Sequence, residues 1–437
     1  MATAADCSWN KDKAVWAVNC RSAMSQILKL IRNIFKHRAA ETEQHLQALS
    51  DVGSTLARDP DNPSLLLDAA RKYAAAGQRA EAISSCRTAL SIQPDFAAAS
   101  ITLALLLRQS FNVDEALLVL QQARAVAPND PEVLAYLRQM LGSGRVPMWH
   151  FSMMNDMPRN QAYEQAIRAT VRPGDHVLEI GTGSGLLAMM AARAGAGYVS
   201  SCEMVVPIAD KARQIIEHNG YAERVTVINK ESTALQIPQD LPERADVLVA
   251  EVISSDLLGE GMLDSYDDAR TRLLKPDARI VPCAAGVIAQ LAGADKLASY
   301  TRVGEIAGFD LQGFNDFTPV TLYPEELGLR LTMYSAPFEV FEFDLQCDRR
   351  VAAERKAIAV GVIASGLCYG VLQWLKLDLA PGVSFENAPC DMAGDIRAGH
   401  WRQVLHTFPQ PLQVHQGQLL QLVASHDRNS LMFYCAV

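Results

Sequence analysis

The chain has 437 residues, 49% of them hydrophobic and 20% charged, and carries a net charge of −9. At roughly 100–200 residues per domain it holds about two to four domains with ample core, which excludes a disordered chain. The negative balance argues against a general nucleic-acid binder and is compatible with a basic partner.

The first forty residues hold seven Lys/Arg against two Asp, and Ile27, Leu28, Ile31, Ile34 and Phe35 recur at helical spacing. Both a transit peptide and an ordinary amphipathic helix have this pattern. Met24 is a possible second start. Residues 1–58 are expected to form an N-terminal helical region, with Thr42–Arg58 capping the adjacent domain.

A repeat comes next. Pro60, Pro94 and Pro128 are spaced by 34 residues, as are Ala70 and Ala104, Ala82 and Ala116, and Ala89 and Ala123. Small residues at fixed sites let the helices of a hairpin approach closely, and proline ends each second helix. The pattern resembles the tetratricopeptide repeat: two copies over about 61–128 and a partial third to about Leu141, within a domain placed at 59–142. The aromatic signature positions match less well.

Gly142-Ser143-Gly144 marks a linker, and from Pro173 the texture turns α/β. Strands are expected at His176–Ile180, Tyr198–Cys202, Val225–Asn229 and Asp246–Glu251, with helices at Leu186–Ala194 and Pro207–Asn219. Such alternation predicts a Rossmann-like, doubly wound parallel sheet over 143–285. After about Pro282 the helices thin out. Val287–Leu291, Phe338–Leu345, Val404–Phe408, Leu419–Ala424 and Met432–Val437 read as strands of a β-barrel or sandwich over 286–437. The longest apolar stretch, Ile358–Leu372, contains Gly361, Ser365 and Gly366 and falls short of the roughly 18 residues of a membrane span. It reads as a buried strand pair, and no membrane partner is expected. Nine scattered cysteines without a CxxC pair point to a reducing compartment, taken as cytoplasmic (nuclear also if the source is eukaryotic), and to neither a disulfide framework nor a metal site.

The sharpest local feature is Glu179-Ile-Gly181-Thr-Gly183-Ser-Gly185, between a strand and a helix. Glycines let a ligand approach the backbone at the C-terminal end of a strand. The dinucleotide fingerprint GxGxxG is missed by one residue, and a P-loop lacks its GK[ST]. An acid two places before the first glycine suits a cationic, amine-bearing ligand. The segment resembles motif I of the class I S-adenosylmethionine (SAM) methyltransferases. Glu203, 18 residues after Gly185, stands where a carboxylate can accept both ribose hydroxyls. Ser232 and Thr233 follow the third strand, where such folds contact adenine.

The fourth strand leads into Glu251-Val-Ile-Ser-Ser-Asp-Leu-Leu-Gly-Glu260. Two carboxylates nine residues apart across a loop can grip a planar guanidinium, whose five donors fit carboxylates two at a time. This loop resembles the double-glutamate loop of the protein arginine methyltransferases. Three further segments resemble that family: Met153-Met154-Asn155-Asp156-Met157-Pro158-Arg159, which in the family closes over the cofactor; Gly308-Phe309-Asp310-Leu311, near its dimerisation arm; and Gly399-His400-Trp401, its THW loop. The resemblance covers about Trp149–Val437. With the repeats and Trp149-His150-Phe151 it points to the branch of the seventh and ninth types.

The resemblance implies SAM-dependent methylation of arginine in protein substrates, with mono- or symmetric dimethylarginine as product. It implies that Glu251 and Glu260 grip the guanidinium, that His400, partnered by Asp156, handles the proton, and that Trp401 lines the arginine channel. It also implies that Arg159 pairs with the SAM carboxylate and Met153 sits against the sulfonium. A homodimer, with its arm at about 294–328, would replace the two catalytic modules of that branch. Gly399 stands where the family has threonine, and a tyrosine-rich segment is not evident; Phe151 is the nearest aromatic. Two other readings use the same features: a class I methyltransferase with a different nucleophile, and a repeat protein that docks a partner on a non-catalytic methyltransferase scaffold.

Overall fold

A computed structural model of the chain describes residue 54 and residues 56–142, 147–347, 349–389 and 399–435. The expected N-terminal helix and most of the capping segment lie outside these residues. The chain divides into two units, 1–146 and 147–437.

The first unit is helical: α1 (Pro63–Ala75), α2 (Arg79–Ile92), α3 (Ala97–Gln109), α4 (Val113–Val126) and α5 (Pro131–Gly142). The 34-residue period explains the packing. Ala70 and Ala104, Ala82 and Ala116, and Ala89 and Ala123 are all buried in one core, and Pro94 and Pro128 follow the ends of α2 and α4. At the start of α1, Asn62 caps the helix by accepting the backbone N–H groups of Ser64 and Leu65 at 3.1 and 3.3 Å. Pro63 occupies the first turn, where its missing donor costs nothing.

The second unit opens with α6 (Trp149–Asn155) and α7 (Met157–Thr170), then alternates β1 (His176–Ile180), α8 (Leu186–Ala194), β2 (Tyr198–Cys202), α9 (Val206–His218), β3 (Val225–Ile228), β4 (Ala245–Ala250), α10 (Met262–Asp268) and β5 (Leu274–Val281). The five strands form one parallel sheet in the order β3-β2-β1-β4-β5. The order reverses between β1 and β4. Ligands of such sheets bind in the crevice at that point, outside the carboxyl ends of the strands. The glycine turn follows β1 and the double-glutamate loop follows β4, so both open at this crevice.

Among the described residues the β domain has two main antiparallel sheets and a small two-stranded one, Glu305–Ile306 with Phe309–Asp310. Its main strands are β6 (Ala284–Gly293), β7 (Phe338–Asp344), β8 (Glu354–Gly361), β9 (Gly366–Ala380), β10 (Val404–Val414), β11 (Leu419–His426) and β12 (Leu431–Cys435). β6, β7, β9 and β10, with three short strands, make a seven-stranded sheet; β8, β11 and β12 make a second sheet. The stretch Ile358–Leu372 is indeed two strands, but they do not pair. β8 joins β11 in the smaller sheet and is largely solvent-facing, while β9 is a long buried strand between β6 and β10. The four residues between them switch sheets, a break that an apolar run does not reveal. Arg428, in the turn between β11 and β12, ties this sheet to α10 through Asp264 at 2.6 Å and Asp267 at 2.7 Å.

β9 can lie against β10 only because residue 370 has no side chain. The ladder shifts register between Cys368 and Gly370, and a Cβ on Gly370 would stand 2.0 Å from the His406 carbonyl oxygen. Substituting Gly370→Ala must push two central strands apart. We expect it to destabilise the protein by about 1–3 kcal/mol, as overpacking in a core does, read as a lowered urea midpoint.

Candidate active site

The site is built from three stretches far apart in sequence. The first is the junction of α6 and α7. Asp156 is the N-cap of α7, its Oδ1 accepting the Arg159 backbone N–H at 3.1 Å, and Pro158 lies in the first turn. The cap turns Arg159 inward, where it is buried. Its guanidinium donates to Asn160 Oδ1 at 2.8 Å, pairs with Glu251 Oε2 at 3.0 Å and lies 5.0 Å from the Tyr163 ring. Neither Asn160 nor Tyr163 stood out in the sequence. Tyr163 lies one helical turn after Arg159, and that i, i+4 spacing is the only signal it offered.

The second stretch is the sheet's crevice. Gly181 adopts a left-handed conformation, and a Cβ there would stand 3.1 Å from the Glu251 carbonyl oxygen. The glycine turn therefore lets β4's exit pass close by. Met153 rests against the same turn, its Cε 3.7 Å from where a Cβ on Gly183 would lie. Gly185 begins α8. Glu203 is buried and faces the turn: one carboxylate oxygen accepts the Gly183 N–H at 3.1 Å and the other the Val205 N–H at 2.9 Å. Glu179 is almost completely buried and accepts the Ser201 hydroxyl on Oε2. Burial, with the Glu203 charge adding to it and the Ser201 hydrogen bond opposing, pushes the Glu179 carboxyl up to about 8. Ser232 is buried and Thr233 exposed in a short turn at the end of β3, both with carbonyls facing Arg272.

The third stretch is Gly399-His400-Trp401, which reaches over from the β domain. His400 is buried between two carboxylates. Its Nδ1 lies 3.7 Å from Asp156 Oδ2 and its Nε2 lies 3.6 Å from Glu251 Oε1, ion-pair distances slightly longer than hydrogen bonds. Burial pulls the imidazole's affinity for a proton down, but Asp156 and Glu251 outweigh it and the net shift is upward. The Asp156 carboxyl is opposed by burial yet held below its usual range by His400 and the Arg159 N–H. Trp401 is buried, and its indole N–H donates to the Ile253 carbonyl at 2.6 Å. Its ring lies 5.7 Å from the Arg159 guanidinium.

These stretches surround a cavity of about 390 Å³ lined by both Glu251 and Glu260, together with Ser254, Ser255, Trp149, Tyr323, Glu326, His400, Trp401 and Arg402. Glu260 is more open to solvent than Glu251. Desolvation within the cavity and then the neighbouring Glu251 charge push its carboxyl up to about 7. The loop between the two glutamates is closed by its own polar residues: Gly259 N–H donates to Ser254 Oγ at 2.7 Å and to Asp256 Oδ1 at 3.0 Å. Asp256 serves this turn.

Gln373 and His406 also belong to this constellation and carry no motif. Gln373 is completely buried on β9 and donates from Nε2 to the Ser255 carbonyl at 3.3 Å. That fixes its other amide atom as an acceptor, which receives His406 Nε2 at 3.1 Å. Burial lowers His406 to about 4, so it is a neutral imidazole with the proton on Nε2. With Trp401 donating to Ile253, and Arg402 N–H donating to Ser255 Oγ at 3.1 Å, the β domain grips the loop from behind.

The chain matches the tetratricopeptide repeat model over residues 73–140 and the ribosomal protein L11 methyltransferase (PrmA) model over 161–291. It is 37% identical over 308 residues to an arginine N(omega)-methyltransferase of Streptomyces achromogenes subsp. streptozoticus, a match covering 69% of this chain and 83% of that one. The chain belongs to the arginine N-methyltransferase family. It is 31% identical over 320 residues to protein arginine N-methyltransferase 7 of Drosophila grimshawi, and 32% over 311 residues to that of Danio rerio. These matches cover 64% of the chain and 46% and 45% of the relatives, so it spans about half their length. In fold it is similar to the Trypanosoma brucei protein arginine methyltransferase 1 enzyme–prozyme complex with AdoHcy (TM-score 0.56, 20% identity, covering 66% of this chain and 96% of that one). It also resembles Arabidopsis thaliana protein arginine methyltransferase 10 (TM-score 0.51, 24% identity, 62% and 86% covered). The chemistry of this family member is methyl transfer to arginine.

The grip on the loop has a measurable consequence. Substituting Gln373→Leu leaves the Ser255 carbonyl and His406 unpaired while keeping the apolar volume. Turnover of arginine is expected to fall about tenfold or more, with SAM affinity measured by calorimetry changed much less, because only the glutamate loop loses its support.

Proposed function

We propose that this protein transfers a methyl group from SAM to a guanidinium nitrogen of arginine in protein substrates, giving mono- or symmetric dimethylarginine. The single observation that carries the reading is the convergence of Glu251 and Glu260 on one cavity beside the glycine turn. The cofactor assignment is supported by the crevice. The Glu179 Oε1 atom is buried at the end of β1 without a hydrogen-bond partner, and both Glu203 oxygens are oriented by backbone N–H groups with lone pairs to spare for a ribose. Bound there, SAM supplies the methyl carbon, activated by its positive sulfur. Glu179, Gly181, Gly183, Gly185, Glu203, Ser232, Thr233, Met153 and Arg159 are the residues proposed to hold it.

The residues around the two glutamates give them different work. Glu251 lies between Arg159 and His400, which fix the angle of its carboxyl group. It holds one edge of the guanidinium plane and draws its positive charge toward the held nitrogens, which leaves electron density on the attacking one. Glu260 forms no ion pair among the described residues, and His400 offsets only part of its upward shift. Its raised affinity, near 7, suits it to receive the proton that the guanidinium sheds. His400 was expected to take that proton. Asp156 and Glu251 raise its affinity for a proton, which serves that role and also balances their charges.

The product assignment follows the resemblance to the seventh- and ninth-type branch. We further propose that the repeats recruit the substrate protein and that two copies associate through residues 294–328. That excursion exposes Ile306, Phe309, Phe314 and Phe317, an apolar group with no cover in the single chain.

The test is to incubate the full chain with SAM and an arginine-rich protein mixture, hydrolyse, and separate methylarginines by mass spectrometry. Monomethyl or symmetric dimethylarginine is expected. Glu251→Gln and Glu260→Gln should each lower turnover by roughly 100-fold or more, a larger factor than any loss of SAM affinity. Near wild-type turnover in Glu251→Gln would refute the assigned role. The pH dependence comes from Glu260: it must be ionised to hold a guanidinium, so kcat/KM should rise as pH rises through about 7. Removing its titration in Glu260→Gln should flatten that limb.

A further inference from the structure

Two buried acids end neighbouring strands of the parallel sheet, and only one has a counter-charge. Glu251, after β4, lies between Arg159 and His400. Glu179, near the end of β1, is 1% exposed and forms no ion pair among the described residues. From β2 the Ser201 hydroxyl donates to its Oε2, and the Thr182 hydroxyl of the glycine turn meets that same Ser201 oxygen. Its Oε1 has no hydrogen-bond partner. The charged groups acting on it are Glu203, which repels a negative charge, and Arg159, which is committed to Glu251 at 3.0 Å. From α8 the Ala188 backbone N–H adds a favourable dipole. The neighbouring Cys202 thiol, pushed up to about 12 by burial, supplies no charge.

A carboxylate in that place would be a buried charge with one hydroxyl to solvate it and a like charge nearby. Such a group keeps a proton instead, unless a cation arrives. The protein itself supplies none, so the cation has to come with a ligand. Resting on the reading of this crevice as the SAM site, we infer that Glu179 carries a proton in the ligand-free protein and releases it to solvent when the α-ammonium of SAM binds, so that cofactor capture is coupled to pH. One O–H bond breaks, the proton passes to water and buffer, and no other bond changes. The sign follows from the raised carboxyl, near 8 in the ligand-free protein. Below that pH SAM has to displace a proton, and above it the carboxylate stands ready. Affinity for SAM therefore rises with pH up to about 8 and levels off there.

The experiment is a calorimetric titration of the full chain with SAM near neutral pH, repeated in phosphate and in Tris, whose ionisation heats differ. The difference counts protons. About one proton released per SAM bound is expected, with the association constant rising about tenfold per pH unit below about 8. Glu179→Gln keeps the shape and the neutral state, so it should fold as judged by circular dichroism, bind SAM more weakly, release almost no proton and lose the pH dependence. Infrared difference spectra decide the matter if that variant binds too weakly to titrate. In a Glu260→Gln background, which removes the other raised carboxyl, adding SAM should abolish the carbonyl band of a protonated acid and produce carboxylate bands. SAM binding without proton release, release undiminished in folded Glu179→Gln, or the absence of that band change would each overturn the inference and leave the cofactor reading standing. Failure of the wild-type chain to bind SAM at any pH would overturn both.

Discussion

Glu251 is a carboxylate with a side chain only 8% exposed, and its need for counter-charge organises the catalytic unit. An unpaired buried charge costs several kcal/mol. Here the charge is met from two directions. Arg159 arrives on the first turn of α7, and His400 arrives on a loop of the β domain, more than two hundred residues later in the chain. Asp156 then closes the arrangement, since it caps the helix that presents Arg159 and also faces His400. Each charged member has an opposite neighbour, and the four side chains bring the sheet's crevice, the preceding helix and the β domain together at one point.

The same logic explains why the parallel sheet alone does not make the site. The sheet places the glycine turn and the exit of β4 at the reversal of strand order, which gives a ligand crevice common to many folds of this type. The loop from Glu251 to Glu260 needs more. Its carbonyls at Ile253 and Ser255 are taken by Trp401 and Gln373, and the Ser255 hydroxyl by the Arg402 backbone. All three donors belong to the β domain. A loop held by its own short polar contacts on one side and by three external donors on the other is preorganised, and positioning of this kind can be worth about 7–11 kcal/mol of a reaction barrier in well-oriented cases.

Legibility in the sequence divides along the same line, between local and distant causes. β1, α8 and β2 fall where the sequence placed them because each is a short run bounded by glycine or a charged residue, and those causes are local. Spacing by 34 marked the repeat because it forces alanine wherever two helices touch. The glycine turn, both glutamates, Arg159 and His400 were legible through motifs. Gln373 and His406 were not: they are single polar residues 33 positions apart, given meaning only when β9 and β10 lie side by side. The same applies to the stretch Ile358–Leu372, in which the identity of each strand's partner depends on chain segments a long way off.

The two histidines near the loop show how burial can drive one residue type to opposite ends. His406 meets burial with an amide as its hydrogen-bond partner, and it loses its charge, falling to about 4. His400 meets burial between two carboxylates, and it gains affinity for a proton instead. A neutral ring can act as a fixed one-way donor, which is what Gln373 requires to hold its amide in a single orientation. A ring with raised proton affinity favours positive charge beside Glu251, the group proposed to accept from a guanidinium. Exchanging the environments would disable both, because a charged ring behind the loop would be an unpaired buried cation and a neutral one beside Glu251 would leave Arg159 as its only counter-charge.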